Sequence, residues 1–141
     1  IEQVQKEEAP SRAQRFLEMN DVLFQMVRPY QRNNLWFRKK KGDYVASTGY
    51  AVLRGECPGF LFYLIQSQDF SRQVWARCTG SNYPAINSSD LAEVTCVYPR
   101  IEEQRHIARI LSCIDERKEI VQHRIEKAEE FKRGLLQKMF V

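Results

Sequence analysis

The chain has 141 residues, with 22 Lys and Arg against 18 Asp and Glu for a formal net charge of +4, and 43% of its residues are hydrophobic. That is one domain's length with enough apolar side chain for a single core, and a charged content of 28% excludes disordered and fibrous classes. No apolar run approaches the roughly 18 residues a membrane span needs, and Ile1 to Glu8 is too polar for a signal peptide, so no membrane partner and a cytoplasmic location are expected. With no Met at its start, the chain is expected to be a fragment, a half subunit or a processed product.

In chain order, Asn20-Asp21 is a turn signal leading into Val22 to Val27, a short apolar run that reads as a buried strand ended by Pro29. Leu35-Trp36-Phe37 and Tyr44-Val45-Ala46 flank Lys41-Gly42-Asp43, which predicts a hairpin, and a further strand follows at Tyr50 to Leu53. After the breaker Pro58-Gly59, the stripes Phe60, Leu61, Leu64, Ile65 and Phe70, Val74, Trp75 predict helices over Phe60 to Ser67 and Asp69 to Ala76, the second capped by Asp69. Thr79 to Pro84 reads as a loop, Ser88-Ser89-Asp90 as a single turn, and Val94 to Val97 as a last strand closed by Pro99. The fold class is α+β, with short and mostly antiparallel strands in residues 1–100.

Residues 101–141 are different in kind, with no proline and only Gly134. A heptad runs through them, with Leu111, Lys118, Ile125, Lys132 and Met139 at a, and Ile107, Ile114, Val121, Ala128 and Leu135 at d. This is a coiled-coil seam in which two lysines at a tune register or partner choice, while Ile110, Phe131 and Leu136 widen the stripe toward a third surface. About 39 residues make a rod of roughly 58 Å, too long to lie along a domain of about 100 residues, so much of it must project and meet another helix.

Cys57, Cys78, Cys96 and Cys113 match no zinc or dithiol spacing, and His106 and His123 cannot share a helical face as an i, i+4 pair. No metal is expected, and the cysteines read as reduced core thiols. The phosphate-binding glycine motifs, HExxH and a Ser, His, Asp arrangement are all absent, so no catalytic residue is assigned.

The densest basic tract runs from Arg28 to Lys41, six positive charges and no acid. Arg28, Arg32, Arg38, Lys39, Lys40 and Lys41 suit phosphates, and Tyr30, Gln31, Asn33 and Asn34 among them suit base edges, a mixture that points to nucleic acid. The loop holding Gly80, Ser81, Asn82 and Tyr83 adds short polar side chains and backbone N–H groups able to meet a phosphate.

Four strings then resemble one family: DVLFQMVRPYQRNN over Asp21 to Asn34, ASTGYAVL over Ala46 to Leu53, GSNYPAINSSDL over Gly80 to Leu91, and PRIEEQRHI over Pro99 to Ile107. Together with ILSCID over Ile110 to Asp115 and a long helix ending in GLLQKMF over Gly134 to Phe140, they are similar to the specificity subunit of type I restriction-modification systems. The resemblance implies a target-recognition domain that reads one half of a bipartite site in duplex DNA, followed by a spacer helix that docks the modification subunit. It implies no cofactor in this chain: S-adenosylmethionine serves the modification (methyltransferase) subunit, and ATP and Mg2+ serve the restriction (motor) subunit. A full specificity subunit carries two recognition domains and two helices where this chain shows one of each, and its recognition domain is short on the N-terminal side. A homodimer, or pairing with another half subunit through a second spacer helix, is therefore expected. The alternatives are a coiled-coil scaffold with no sequence-specific DNA binding of its own, and a thiol enzyme using Cys78 or Cys57 with His106.

Overall fold

The computed structural model describes residues 10–39 and 42–140. Strands β1 (Ala13–Phe16), β2 (Val22–Gln25), β3 (Leu35–Trp36), β4 (Val45–Ser47) and β5 (Tyr50–Leu53) are followed by helices α1 (Pro58–Leu64), α2 (Gln68–Arg77), α3 (Ser88–Ala92) and α4 (Ile101–Met139). A 3-10 turn, Pro29–Gln31, lies between β2 and β3. The strands form two antiparallel sheets, β1-β4 and β3-β2-β5, which agrees with the α+β reading.

β2 is the central strand of its sheet, and Val22, Leu23 and Phe24 are all buried. A strand covered on both faces needs an uninterrupted apolar run, which is what Val22 to Phe24 supplies. Val22 pairs with Leu53 and Trp36, and Phe24 with Ala51. Helix α2 lays Phe70 and Val74 on this sheet, closing a core of Val22, Phe24, Met26, Ala51, Ile65, Phe70, Val74 and Ile86. At the end of the sheet, buried Asp21 accepts two hydrogen bonds from Arg54, at 2.6 and 3.1 Å, and one from the Glu18 N–H at 2.8 Å.

Four readings are corrected. Among the described residues the predicted hairpin does not form: β3 pairs with β2, and β4 pairs with β1, a strand the hydrophobic pattern did not announce. Its four residues, AQRF, alternate half-buried and exposed, with Phe16 at 74% exposure, so burial leaves no apolar signature. The predicted strand from Val94 to Val97 is irregular chain. There the Gln73 side chain takes the ladder's place, accepting from the Thr95 N–H at 3.1 Å and hydroxyl at 3.2 Å and donating to its carbonyl at 2.7 Å. Asp69 does not cap α2; the Ser67 hydroxyl accepts from the Phe70 N–H at 3.3 Å, and Asp69 sits in the first turn facing Arg72. The supposed breaker Pro58 opens α1, where its missing N–H has no intrahelical acceptor to lose.

α4 spans 39 residues, within the segment the heptad predicted, and about 58 Å in length. Among the described residues, its first four turns pack on the rest of the chain. Ile101, Ile107 and Ala108 pack on Cys57, Phe60 and Leu64, and the Tyr63 hydroxyl donates to Asp115 Oδ2 at 3.0 Å and lies 3.3 Å from Ser112 Oγ. Small side chains permit this approach: a Cβ on Gly59 would stand 3.2 Å from the Ala108 methyl and 3.1 Å from the Trp36 ring. From Glu116 to Phe140 every residue of the rod is exposed.

Candidate nucleic-acid interface

After β2 the chain turns sharply. Arg28 (φ 54°) and Arg32 (φ 52°) both adopt the left-handed conformation and bracket the Pro29–Gln31 turn. For residues with a Cβ this costs roughly 1 kcal/mol each, strain that persists only where surrounding contacts hold it. The contacts come from the loop after α2. Thr79 and Ala85 exchange two 2.9 Å backbone hydrogen bonds that close it, Gly80 supplies a left-handed φ of 91°, the Arg28 N–H donates to the Pro84 carbonyl at 2.8 Å, and the Ile86 N–H donates to the Met26 carbonyl at 3.0 Å. The two loops singled out in the sequence are therefore one surface.

On that surface the half-buried Arg28 guanidinium lies over the exposed Tyr83 ring, 4.2 Å from its centroid, a cation–π contact. Tyr30 stacks on Trp75 of α2 with ring centroids 5.8 Å apart and 18° between planes. Arg32, Asn34 and Trp75 line one shallow depression, and Asn33, Ser81 and Asn82 are exposed. Cations able to meet phosphates thus alternate with aromatic faces and amides able to meet bases.

The amides are ordered from beneath by Gln25, at the end of β2. Its backbone N–H donates to Asn34 Oδ1 at 3.0 Å, its side-chain oxygen accepts from the Asn33 N–H at 3.1 Å, and its side-chain NH2 donates to Gln31 Oε1 at 3.0 Å. Gln25 and Trp75 were not assigned to the interface from sequence. Gln25 reads as one more position of a strand, and Trp75 as part of a helical core stripe, yet Trp75 is 43% exposed.

Arg38 and Lys39 point elsewhere. Arg38 lies over Trp36, 4.9 Å from the ring centroid, and lines a cleft of about 550 Å³ between β3, α1 and α4 that also holds Tyr63, Asp115, Glu119 and Glu126. Lys39 lies over Tyr44 at 5.4 Å. Lys40 and Lys41 fall outside the described residues. The run of charge that is continuous in sequence is divided in space, and Arg38 shares its cleft with Asp115, Glu116, Glu119 and Glu126 of α4.

Of the residues assigned to a helix seam, Ile107 is packed against the α1 core and so is withdrawn from it, and Leu111 is half-buried. Ile114, Val121, Ile125, Ala128, Leu135 and Met139 are exposed along one rod. The four thiols are not uniformly core groups either: Cys57 is buried and Cys78 half-buried, but Cys96 and Cys113 are exposed. Burial pushes the Cys78 thiol up from its ordinary value, which works against a nucleophilic thiolate. Among the described residues no group of three or more His, Cys, Asp or Glu is placed to hold a metal ion, and no helix is long and apolar enough to cross a membrane.

Residues 31–130 match the family described as type I restriction modification DNA specificity domain. The type I restriction enzyme HindI specificity subunit of Haemophilus influenzae is 23% identical over 138 residues, which are 94% of this chain and 30% of that protein. The MjaVIII specificity subunit of Methanocaldococcus jannaschii is 31% identical over 77 residues, 55% of this chain and 18% of that one. The crystal structure of the HsdS subunit from Thermoanaerobacter tengcongensis matches with a TM-score of 0.72 at 29% identity, covering 96% of this chain and 36% of that chain. The chain spans about a third of the length of these relatives or less.

Proposed function

Because the chain belongs to the type I restriction modification DNA specificity family, we propose that it is a non-catalytic reader of one half of a bipartite site in duplex DNA, working in the cytoplasm. In this reading residues 1–100 are the recognition domain and residues 101–141 the spacer helix. Arg28 and Arg32 meet phosphates, Gln31, Asn33 and Asn34 meet base edges, and Ser81, Asn82 and Tyr83 extend the contact across the second loop. The exposed face of α4 pairs with a second spacer helix, from another copy or another half subunit, and docks the modification subunit. S-adenosylmethionine, ATP and Mg2+ would act in the modification and restriction subunits, not in this chain.

The observation that carries the reading is the Arg28–Tyr83 contact, which gathers a strained basic turn and a polar glycine loop, distant in sequence, onto one surface. Folding alone gives no reason to hold two arginines in the left-handed region beside exposed aromatics, whereas a pre-shaped binding turn does. The test is a salt titration of duplex binding by the chain, with and without the modification subunit. Each phosphate contact contributes about −0.9 to the slope of log affinity against log salt, so the Arg28→Ala, Arg32→Ala double variant should flatten the slope by up to about 1.8. An unchanged affinity and slope would refute the assignment, and a chain that binds no duplex in either state would leave α4 pairing as its role.

A further inference from the structure

Gln25 reaches no partner outside the fold, yet its hydrogen bonds determine what the recognition turn can offer. The Asn33 backbone N–H is a donor and nothing else, so the Gln25 side-chain atom facing it at 3.1 Å must be the carbonyl oxygen. The Gln25 NH2 then faces Gln31, and the Gln31 atom 3.0 Å away must be its own carbonyl oxygen. One unambiguous backbone donor thus sets two side-chain amides in series. The exposed Gln31 is left with its NH2 unpaired among the described residues and turned away from the fold. Asn34 is set independently: its oxygen is held by the Gln25 backbone N–H at 3.0 Å, which likewise leaves its NH2 to point away. Arg28 and Arg32 are donors only. The turn therefore presents donors, with the acceptor oxygens of both amides drawn inward.

We propose that Gln25 is a specificity-positioning residue, which through Asn33 locks Gln31 as a hydrogen-bond donor and so directs it to bases whose major-groove edge offers acceptors, guanine through O6 and N7 or thymine through O4, and away from cytosine, which offers only the N4 donor. The inference rests on the DNA-reading role proposed above. A reversed Gln31 would place its NH2 against the Gln25 NH2, so its orientation cannot change without Gln25 changing too.

Gln25→Glu supplies the test. Its carboxylate still accepts from the Asn33 N–H, but its second oxygen demands a donor, so Gln31 must turn over and present its carbonyl. The variant, the wild type and Gln25→Met are each allowed to select from duplex oligonucleotides randomised at every position, as the full chain with its modification subunit. Expected is guanine or thymine over cytosine at one position for the wild type, a shift toward cytosine, which offers the N4 donor, by about tenfold in the base ratio for Gln25→Glu, and a flattened preference there for Gln25→Met. The position facing Asn34 should keep its preference in Gln25→Glu, because the backbone N–H that sets Asn34 remains. That pattern is one a general loosening of the turn would not produce. Identical preferences in all three proteins overturn the inference. If Arg28→Ala with Arg32→Ala weakens binding in the same assay while the Gln25 variants select as wild type does, only the orienting role falls. If that double variant also binds undiminished, the DNA-reading role falls with it. Melting midpoints of the variants identify any that fail to fold, and Gln25→Glu, which retains partners for both loop groups, carries the test should Gln25→Met unfold.

Discussion

The Arg28 guanidinium carbon lies 4.2 Å from the centroid of the Tyr83 ring, and this pair joins the turn after β2 to the loop after α2. The Arg28 N–H to Pro84 carbonyl bond, 2.8 Å, holds the same junction from the main chain. Two loops with no sequence relation become one face because the backbone anchors them and a cation sits on a ring.

Removing the ring and removing the cation should therefore have different consequences. Tyr83→Ala withdraws a contact of about 0.5–1 kcal/mol but no positive charge, so it should weaken duplex binding a few-fold at every salt concentration and leave the salt slope unchanged. Arg28→Ala should lower affinity and flatten the slope by about 0.9. Fluorescence anisotropy from 50 to 300 mM salt separates the two.

Gly59 sets how closely α4 approaches the domain. A Cβ there would stand 3.1 Å from Trp36 and 3.2 Å from the Ala108 methyl, both packed groups with little room to retreat. Gly59→Val should destabilise the chain by about 1–3 kcal/mol through overpacking, seen as a lower urea midpoint. Hydrogen exchange should rise in Ile101 to Ser112 before it rises in β2, since the fault lies at the helix junction.

Asp21 gives the fold an acid dependence. Burial opposes its ionisation, but the Arg54 hydrogen bonds, the Glu18 N–H and the Arg54 charge outweigh burial and hold its carboxyl below the ordinary value of 3.8. A carboxylate whose folded pKa is depressed stabilises the fold fully above its unfolded pKa, and that stabilisation drains as pH falls from there through the folded value. The wild type should lose melting temperature below about pH 4.5 more steeply than Asp21→Asn, which should start lower at pH 7. Parallel curves from pH 7 to pH 2.5 would show that the Asp21–Arg54 pair does not set this dependence.

The exposed stripe on α4 carries the remaining expectation. Val121 and Ile125 are 52% and 47% exposed in the single chain, and a run of such residues over several turns is an unpartnered face. If it pairs two copies, the wild type should be a dimer by light scattering at tens of micromolar and Val121→Glu a monomer with unchanged recognition-domain stability. A monomeric wild type would leave the face to a different half subunit or to the modification subunit.

Periodicity and punctuation determined a good part of this protein. The uninterrupted run Val22 to Phe24 marked the central strand, and the heptad with no proline marked α4, because both signals are local and each residue's neighbours in sequence are its neighbours in the element. The alternation of Arg with Gln and Asn marked the turn that became the candidate interface.

Only the tertiary structure decided what pairs with what. β3 and β4 lie on either side of a turn-rich stretch yet join different sheets, since strand pairing is settled by burial against distant partners and not by the intervening turn. The same folding divided the basic tract, placing Arg28 on Tyr83 and Arg38 against α4. It replaced an expected strand by the Gln73 side chain on Thr95, and it made Gln25 the residue on which two amides depend. A side-chain hydrogen bond to main chain many residues away has no period, so the sequence carries its participants without naming their partners.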